Sequence, residues 1–196
     1  MGKKINIILK RCIDVVITAL ILITLSPLLL LTSIIIKISM PGPIFFLQER
    51  IGRNHKKFSI YKFRSMKVDY EAERNFEFDK DQYRITKFGN LIRRLKIDEL
   101  PQLLNVLNGD MSLVGPRPTI EEQTLKYNDE QKQRLNMRPG MTGLAQVNGN
   151  TSLSWDERIS YDLKYIKSFS VYLDMKILFK TALIVIFGEE KFKKSI

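Results

Sequence analysis

Two adjacent carboxylates, Asp98 and Glu99, lie in the stretch Lys96-Ile97-Asp98-Glu99-Leu100-Pro101-Gln102. A basic, amphipathic run, Leu91-Ile92-Arg93-Arg94-Leu95, precedes them, and an apolar run, Leu103-Leu104-Asn105-Val106-Leu107, follows. Such a pair has two chemical readings. It is a cap and dipole partner for a helix, or it is an ionised nucleophile or metal ligand working on an anionic substrate. The second reading needs cations close by. Leu91, Ile92 and Leu95 fall at helical spacing and predict a helix that ends before the pair. Asp98 as N-cap, Pro101 in the first turn and Asn108-Gly109 as a stop predict a second helix beginning near Asp98. At that junction the helix dipole and free N–H groups are expected to hold Asp98 ionised.

Candidate cations come from three further segments. Ile44-Phe45-Phe46-Leu47-Gln48 and Phe58-Ser59-Ile60-Tyr61-Lys62-Phe63, separated by a turn at Gly52-Arg53-Asn54, predict a β-hairpin. On its second strand Lys62 and Arg64 share one face, opposite Tyr61 and Phe63; a solvated basic face is the plain alternative. In Gly115-Pro116-Arg117-Pro118 the flanking prolines restrict the backbone of Arg117. That suits a preorganised grip on phosphate, or simply a rigid turn. The run Arg138-Pro139-Gly140 through Gly149-Asn150 is punctuated by glycines that permit tight turns and close backbone approach to a ligand. It carries no phosphate-loop or dinucleotide fingerprint.

The elements that must position these groups begin with a membrane segment. From Val15 to Ile36 there is no charged residue. As a helix this stretch runs roughly 33 Å, enough to cross a bilayer core. A signal peptide would be shorter and end in a small-residue cleavage site, and neither holds here. Ser26-Pro27 interrupts the run near its middle, and both flanks are basic: Lys3, Lys4, Lys10 and Arg11 before, Lys37, Arg50 and Arg53 after. The proline favours a kink or break, and the symmetric charge gives no clear inside-outside preference. A spanning helix and a re-entrant helix-break-helix are both open on these grounds. Asp14 at the mouth of the run needs a partner, and Arg11 is the expected one. Lys67 to Arg84 is charged and reads as a surface insertion or lid. Thr119 to Asn136 is helix-compatible, and Trp155 to Tyr172 reads as helix plus connector. Asp174 to Phe187 is an apolar helix carrying Lys176 and Lys180, either interfacial or buried.

The chain has 196 residues and a formal net charge of +11, so anionic partners are expected: phosphorylated molecules, an anionic membrane surface or nucleic acid. No base-reading or stacking module supports nucleic acid. The one cysteine, Cys12, excludes an intrachain disulfide, and the one histidine, His55, sits in a solvated turn.

Taken together, the motifs resemble the catalytic core of the bacterial sugar transferases, the small monotopic phosphoglycosyl transferases. The resemblance runs from about Lys10 to Phe187. It rests on Lys10-Arg11-Cys12-Ile13-Asp14, Ser26-Pro27, Gln48-Glu49-Arg50-Ile51-Gly52, Tyr61-Lys62-Phe63-Arg64-Ser65-Met66 and Asp98-Glu99-Leu100-Pro101-Gln102. Asn105 through Ser112, Gly115-Pro116-Arg117-Pro118 and Arg138 through Gly149 complete it. It implies a mainly helical α+β fold: residues 1–40 as a re-entrant membrane hairpin broken at Ser26 and Pro27, and residues 41–196 as a membrane-surface catalytic domain with a small β-hairpin and interfacial amphipathic helices. The additional N-terminal membrane domain of larger relatives is not expected. The implied reaction moves a sugar-1-phosphate from a UDP-sugar to undecaprenyl phosphate at the cytoplasmic face of the bacterial inner membrane. Asp98 would be the covalent nucleophile and Glu99 its partner at Mg²⁺. Lys62, Arg93 and Arg117 would contact phosphates or nucleotide, with Arg64 and Pro116 beside them. The family often has Arg where Asn150 stands, so Asn150 is retained as a departing site position. Self-association and the identity of the sugar are left open.

Overall fold

A computed structural model describes residues 2–68 and 84–188 of the chain. In order, the elements are α1 (Gly2–Ser39), β1 (Phe45–Ile51), β2 (Lys57–Phe63), α2 (Lys87–Arg94), α3 (Gln102–Asn108), β3 (Ser112–Val114), α4 (Glu121–Thr124), β4 (Gly140–Thr142), α5 (Leu144–Val147), α6 (Trp155–Lys167) and α7 (Val171–Phe187). The fold is mainly helical, as expected. The charged stretch expected as a lid lies outside the described residues except at its ends, where the Lys67 N–H donates to the Arg84 carbonyl at 3.0 Å.

The apolar run becomes α1, long and apolar enough to cross a membrane. Helical structure continues through Ser26 and Pro27 without interruption, where the sequence led us to expect two helices with a break between them. Proline removes one backbone donor, and the Ser26 hydroxyl donates to the Ile23 carbonyl at 2.8 Å in the turn before it. Side chains around this turn, including Ile23, Leu28, Leu30 and Leu31, are exposed.

Both ends of α1 are tied to the same globular unit. Near its start, the Lys10 ammonium donates to the Val114 carbonyl (2.9 Å) and to Asp174 of α7 (2.7 Å). The Arg11 guanidinium donates to the carbonyls of Val106 and Leu107, which close α3. Asp14 therefore does not pair with Arg11. It accepts from the Ser112 hydroxyl (2.7 Å) and the Leu113 N–H (3.2 Å), with the Lys10 ammonium 3.9 Å away. The reason is tertiary: the α3 terminus offers Arg11 two orphan carbonyls, and the first turn of β3 offers Asp14 two donors. At the other end, Ile36 and Met40 are fully buried against Phe63 and Ile92.

β1 and β2 form the expected antiparallel hairpin, with Leu47 opposite Tyr61 and Phe46 opposite Lys62. A second pairing was not foreseen. β3 and β4 run parallel, matching Ser112 to Gly140 and Val114 to Thr142. A side chain on Gly140 would meet the Gly115 backbone nitrogen at 2.1 Å, so only glycine permits this approach. The main core gathers Ile60, Leu103, Val106, Met111, Leu113, Val114, Val147, Tyr165 and Ile177 from both sheets and four helices. Each such side chain contributes about 1.5–3 kcal/mol by leaving water. The polar segment Thr119 to Asn136 yields only α4 and one 3₁₀ turn at Gln131–Asn136.

Candidate active site

Asp98 and Glu99 occupy a short 3₁₀ turn, Ile97–Glu99, that follows a left-handed residue, Lys96 (φ 59°), and leads into α3. Asp98 does not cap α3. Pro101 holds the cap position and no side chain closes it. The expected helix pattern is also modified: of Leu91, Ile92 and Leu95, only Ile92 is buried. The turn leaves both carboxylates half-buried beside the hairpin.

The hairpin brings Lys62 to Glu99, with the ammonium 3.1 Å from Oε1. Asn105, fully buried on α3, fixes this approach. Its Oδ1 accepts from the Tyr61 N–H (3.0 Å) and its Nδ2 donates to the Ser59 carbonyl (2.8 Å). One amide therefore closes the free edge of β2 and ties the lysine-bearing strand to the helix behind the carboxylates.

The two acids differ in their electrostatics. Burial, then the neighbouring Glu99 charge, pushes Asp98 above the usual aspartate range, against the opposing pull of Lys62, Lys96 and Arg93. Burial also pushes on Glu99, but Lys62 and Arg117 overcome it and hold Glu99 below its usual range. Desolvation and a like charge thus outweigh the helix-start contribution that was expected to hold Asp98 ionised. Asp98 Oδ1 is buried without a hydrogen-bond partner among the described residues.

Around Glu99, a small cleft is lined by Lys62, Gln102, Arg50, Arg117 and Pro118. Arg50, Arg117 and Pro118 also border a second cavity of about 200 Å³ that continues toward Gln146, Asn150, Trp155 and Arg158. Arg50 is made less basic by burial and by the nearby Arg117 charge, against the opposing pull of Glu122. The Arg117 loop is held from below. Arg134 donates to Asp162 at 2.6 Å and to the Arg117 carbonyl at 3.3 Å. Asp162 is almost fully buried and is pushed up to about 6 by burial, against the pull of Arg134.

The structure sorts the expected residues. Lys62, Glu99 and Arg117 converge, with Asp98 adjoining. Arg93 is exposed on α2 and acts on Asp98 through its charge. Pro116 is buried, and its carbonyl accepts from the Gly140 N–H at 2.9 Å. Asn150, in a left-handed conformation (φ 43°), lines the far cavity. Arg64 does not share the cleft: its guanidinium donates to the carbonyls of Met40 and Pro41 at the end of α1. Alternation predicted it on the Lys62 face, but β2 ends at Phe63, one residue before it. Arg50, Gln102, Trp155 and Arg158 were missed. Arg50 and Gln102 lie inside motifs already noted, and Trp155 and Arg158 carry no local signal.

These features define an anion-handling centre at the foot of a long apolar helix, in an enzyme that transfers a phosphorylated group. Residues 5–188 match the family model described as bacterial sugar transferase, and the chain belongs to that family. It is 42% identical over 182 residues to an uncharacterized sugar transferase, EpsL, of Bacillus subtilis (strain 168), covering 93% of this chain and 89% of that protein. It is 40% identical over 189 residues to the UDP-glucose:undecaprenyl-phosphate glucose-1-phosphate transferase of Escherichia coli (strain K12), covering 90% of this chain and 40% of that protein. Against the undecaprenyl-phosphate galactose phosphotransferase of Salmonella typhimurium it is 39% identical over 203 residues, covering 95% of this chain and 42% of the relative. The chain thus spans nearly all of EpsL and less than half of the other two. It is a phosphoglycosyl transferase.

Proposed function

We propose that this enzyme transfers a sugar-1-phosphate from a UDP-sugar to undecaprenyl phosphate, releasing UMP, at the cytoplasmic face of the bacterial cytoplasmic membrane. This is the first membrane step in building a glycoconjugate. The observation that carries the reading is a raised, half-buried Asp98 beside a Glu99 held ionised by Lys62 and Arg117. The names of two relatives, with glucose and galactose respectively, support the reaction class and leave the sugar open.

Asp98 attacks the phosphorus that bears the sugar. A bond forms between its carboxylate oxygen and phosphorus, the phosphoanhydride bond breaks, and the electron pair leaves on the UMP phosphate. The phosphate of undecaprenyl phosphate then attacks the acyl phosphate, and the Asp98 carboxylate departs. Raised basicity makes the ionised Asp98 carboxylate a better nucleophile. Lys62, Arg50 and Arg117 screen its approach to a diphosphate. Asp98 and Glu99 fit a Mg²⁺ site: Asp98 Oδ1 is a buried carboxylate oxygen without a partner among the described residues, and Mg²⁺ takes few carboxylates together with substrate phosphates. When bound there, Mg²⁺ supplies charge neutralisation to the diphosphate.

Membrane placement follows from α1. Its two ends are anchored to one globular unit while its middle is apolar and exposed. That arrangement supports entry into and return from the same face of the bilayer, bringing Asp98 to the depth of a lipid phosphate. α7, with Tyr172, Phe179 and Ile186 exposed, suits the interface.

The test is UMP release by protein in nanodiscs with Mg²⁺, undecaprenyl phosphate and a panel of UDP-sugars. The wild type releases UMP with one donor and carries a phosphosugar on Asp98 by mass spectrometry. Asp98→Asn loses both while keeping its melting temperature. Substantial turnover by Asp98→Asn would sink the nucleophile assignment.

A further inference from the structure

At the C-terminal end of α3, opposite the end that follows Asp98 and Glu99, three arginines from separate segments meet. Arg11 comes from α1, Arg53 from the turn between β1 and β2, and Arg138 from the segment before β4. They line a cleft of about 50 Å³ that shares no residue with the cleft at Glu99 or with the cavity toward Trp155. We propose that Arg53 and Arg138 hold the headgroup phosphate of an anionic phospholipid there, at the foot of α1 and apart from the site of transfer.

α3 has 7 residues, so its two ends lie about 10 Å apart. Helix capping accounts for part of the cluster. Arg11 donates to the Val106 and Leu107 carbonyls, and Arg138 Nε donates to the Gly109 carbonyl at 2.7 Å. The Nη groups of Arg138 are left over: neither meets an acceptor among the described residues. Arg53 is exposed, and its guanidinium has no hydrogen-bond or ion-pair partner among the described residues. Its turn packs against the 3₁₀ turn at Gln131–Asn136, which brings it toward Arg138. Burial, then the charges of Arg11 and Arg53, makes Arg138 less basic, against the pull of Asp14 and Asp110. Asp14 is already engaged by Ser112, Leu113 and Lys10. That leaves Asp110 facing three guanidinium groups, and a further anion relieves their repulsion.

Size and apolar walls select the anion. The cleft is smaller than the liquid volume of two waters, about 30 Å³ each, so it admits a phosphate group and excludes a nucleotide. Ile7 and Met137 line it beside the arginines. Ile8 and Leu9 are exposed next to it, and Val16 and Leu20 continue that apolar surface along α1. A molecule with a phosphate at one end and acyl chains at the other uses both features, whereas inorganic phosphate leaves the apolar wall bare. A zwitterionic headgroup brings its own cation to the arginines, and phosphatidylglycerol brings none. The uncharged run of α1 begins just after Asp14. Under the membrane placement proposed above, on which this inference rests, the cleft therefore lies at headgroup depth.

The experiment places the full chain in nanodiscs of phosphatidylcholine mixed with phosphatidylglycerol and counts the lipids retained on the protein by native mass spectrometry. The wild type is expected to retain phosphatidylglycerol in preference. One basic residue near a membrane surface contributes about five-fold to anionic-lipid affinity, so Arg53→Gln weakens the preference about five-fold and Arg53→Glu about twenty-five-fold. Arg53→Lys recovers most of it. Melting temperature in pure phosphatidylcholine stays within about a degree of wild type, because this guanidinium has no partner to lose. The KM for undecaprenyl phosphate stays unchanged. A folded Arg53→Glu protein with the wild-type preference overturns the proposal, as does a wild type that takes both lipids equally. A raised undecaprenyl phosphate KM in Arg53→Gln would put the acceptor lipid in the cleft and overturn it too. Displacement of phosphatidylglycerol by millimolar inorganic phosphate would make this a free-anion site instead. A wild type that does not enter nanodiscs removes the membrane placement together with the inference.

Discussion

Replacing Lys62 by methionine keeps an unbranched apolar stem, one atom shorter, and removes one charge 3.1 Å from Glu99 Oε1. At an effective dielectric near 20 the gross attraction of that pair is about 5 kcal/mol. Both side chains are about a quarter exposed, at 24% and 27%, and they regain water when separated. A charge-assisted hydrogen bond of this kind nets about 1–3 kcal/mol. If the transition state uses the lysine as fully as the ground state does, kcat/KM falls about 10- to 100-fold. A second effect is specific to this site. Lys62 is the leading charge opposing burial at both acids, so its loss moves Asp98 further above its usual range and raises Glu99. The nucleophile must be ionised. The acid limb of the kcat/KM profile therefore moves to higher pH, and the deficit against wild type is largest at low pH and shrinks as pH rises. Stability moves with Glu99 in the same direction. Its folded-state acidity is enhanced, so it stabilises the fold above the unfolded carboxylate range, and that contribution disappears as pH falls through its lowered value. Lys62→Met loses this contribution even at neutral pH. The assay is UMP release across pH in nanodiscs, with thermal unfolding as the control. A folded Lys62→Met enzyme with unchanged kcat/KM and an unmoved acid limb would refute the electrostatic account of the site.

Two further outcomes test how the site is held. Asn105→Ala strands the Tyr61 N–H and the Ser59 carbonyl beside a packed helix, at about 1–3 kcal/mol each, and should lower the melting temperature by roughly 5–15 °C. Because this amide sets the distance from β2 to α3, turnover should drop more than donor affinity, and a melting temperature within about a degree of wild type would count against it. Pro27→Ala restores the missing backbone donor in the exposed middle of α1 and should favour a straight, spanning helix. Accessibility labelling that still finds both ends of α1 on one side would show that the Lys10–Asp174 and Arg64–Met40 anchors, rather than the proline, set the topology.

Local chemistry in the sequence was enough for the apolar helix, the β-hairpin, the helix stop at Asn108-Gly109 and the carboxylate pair, because each depends on neighbours within a few positions. The run of short motifs in a fixed order also placed the chain in its family. What the sequence could not decide is whatever depends on which distant groups share one dielectric environment. Asp98 was expected to be held ionised by the dipole of a helix start. Tertiary packing buries it beside Glu99 and turns it the other way. Arg64 was expected to share a strand face with Lys62, yet β2 ends at Phe63 and that guanidinium goes to the Met40 and Pro41 carbonyls. Asp14 had Arg11 in reach along the helix, but each found better partners on elements about a hundred residues away. The parallel pairing of Ser112–Val114 with Gly140–Thr142 has no local signature, since each strand is three residues long and its register is fixed by glycine-to-backbone contact across the fold. The cavity joining Arg50 and Arg117 to Gln146 and Trp155 draws on four separate segments. Types and spacing determined which residues could do chemistry, and three-dimensional packing decided which of them face one another and how strongly each holds its proton.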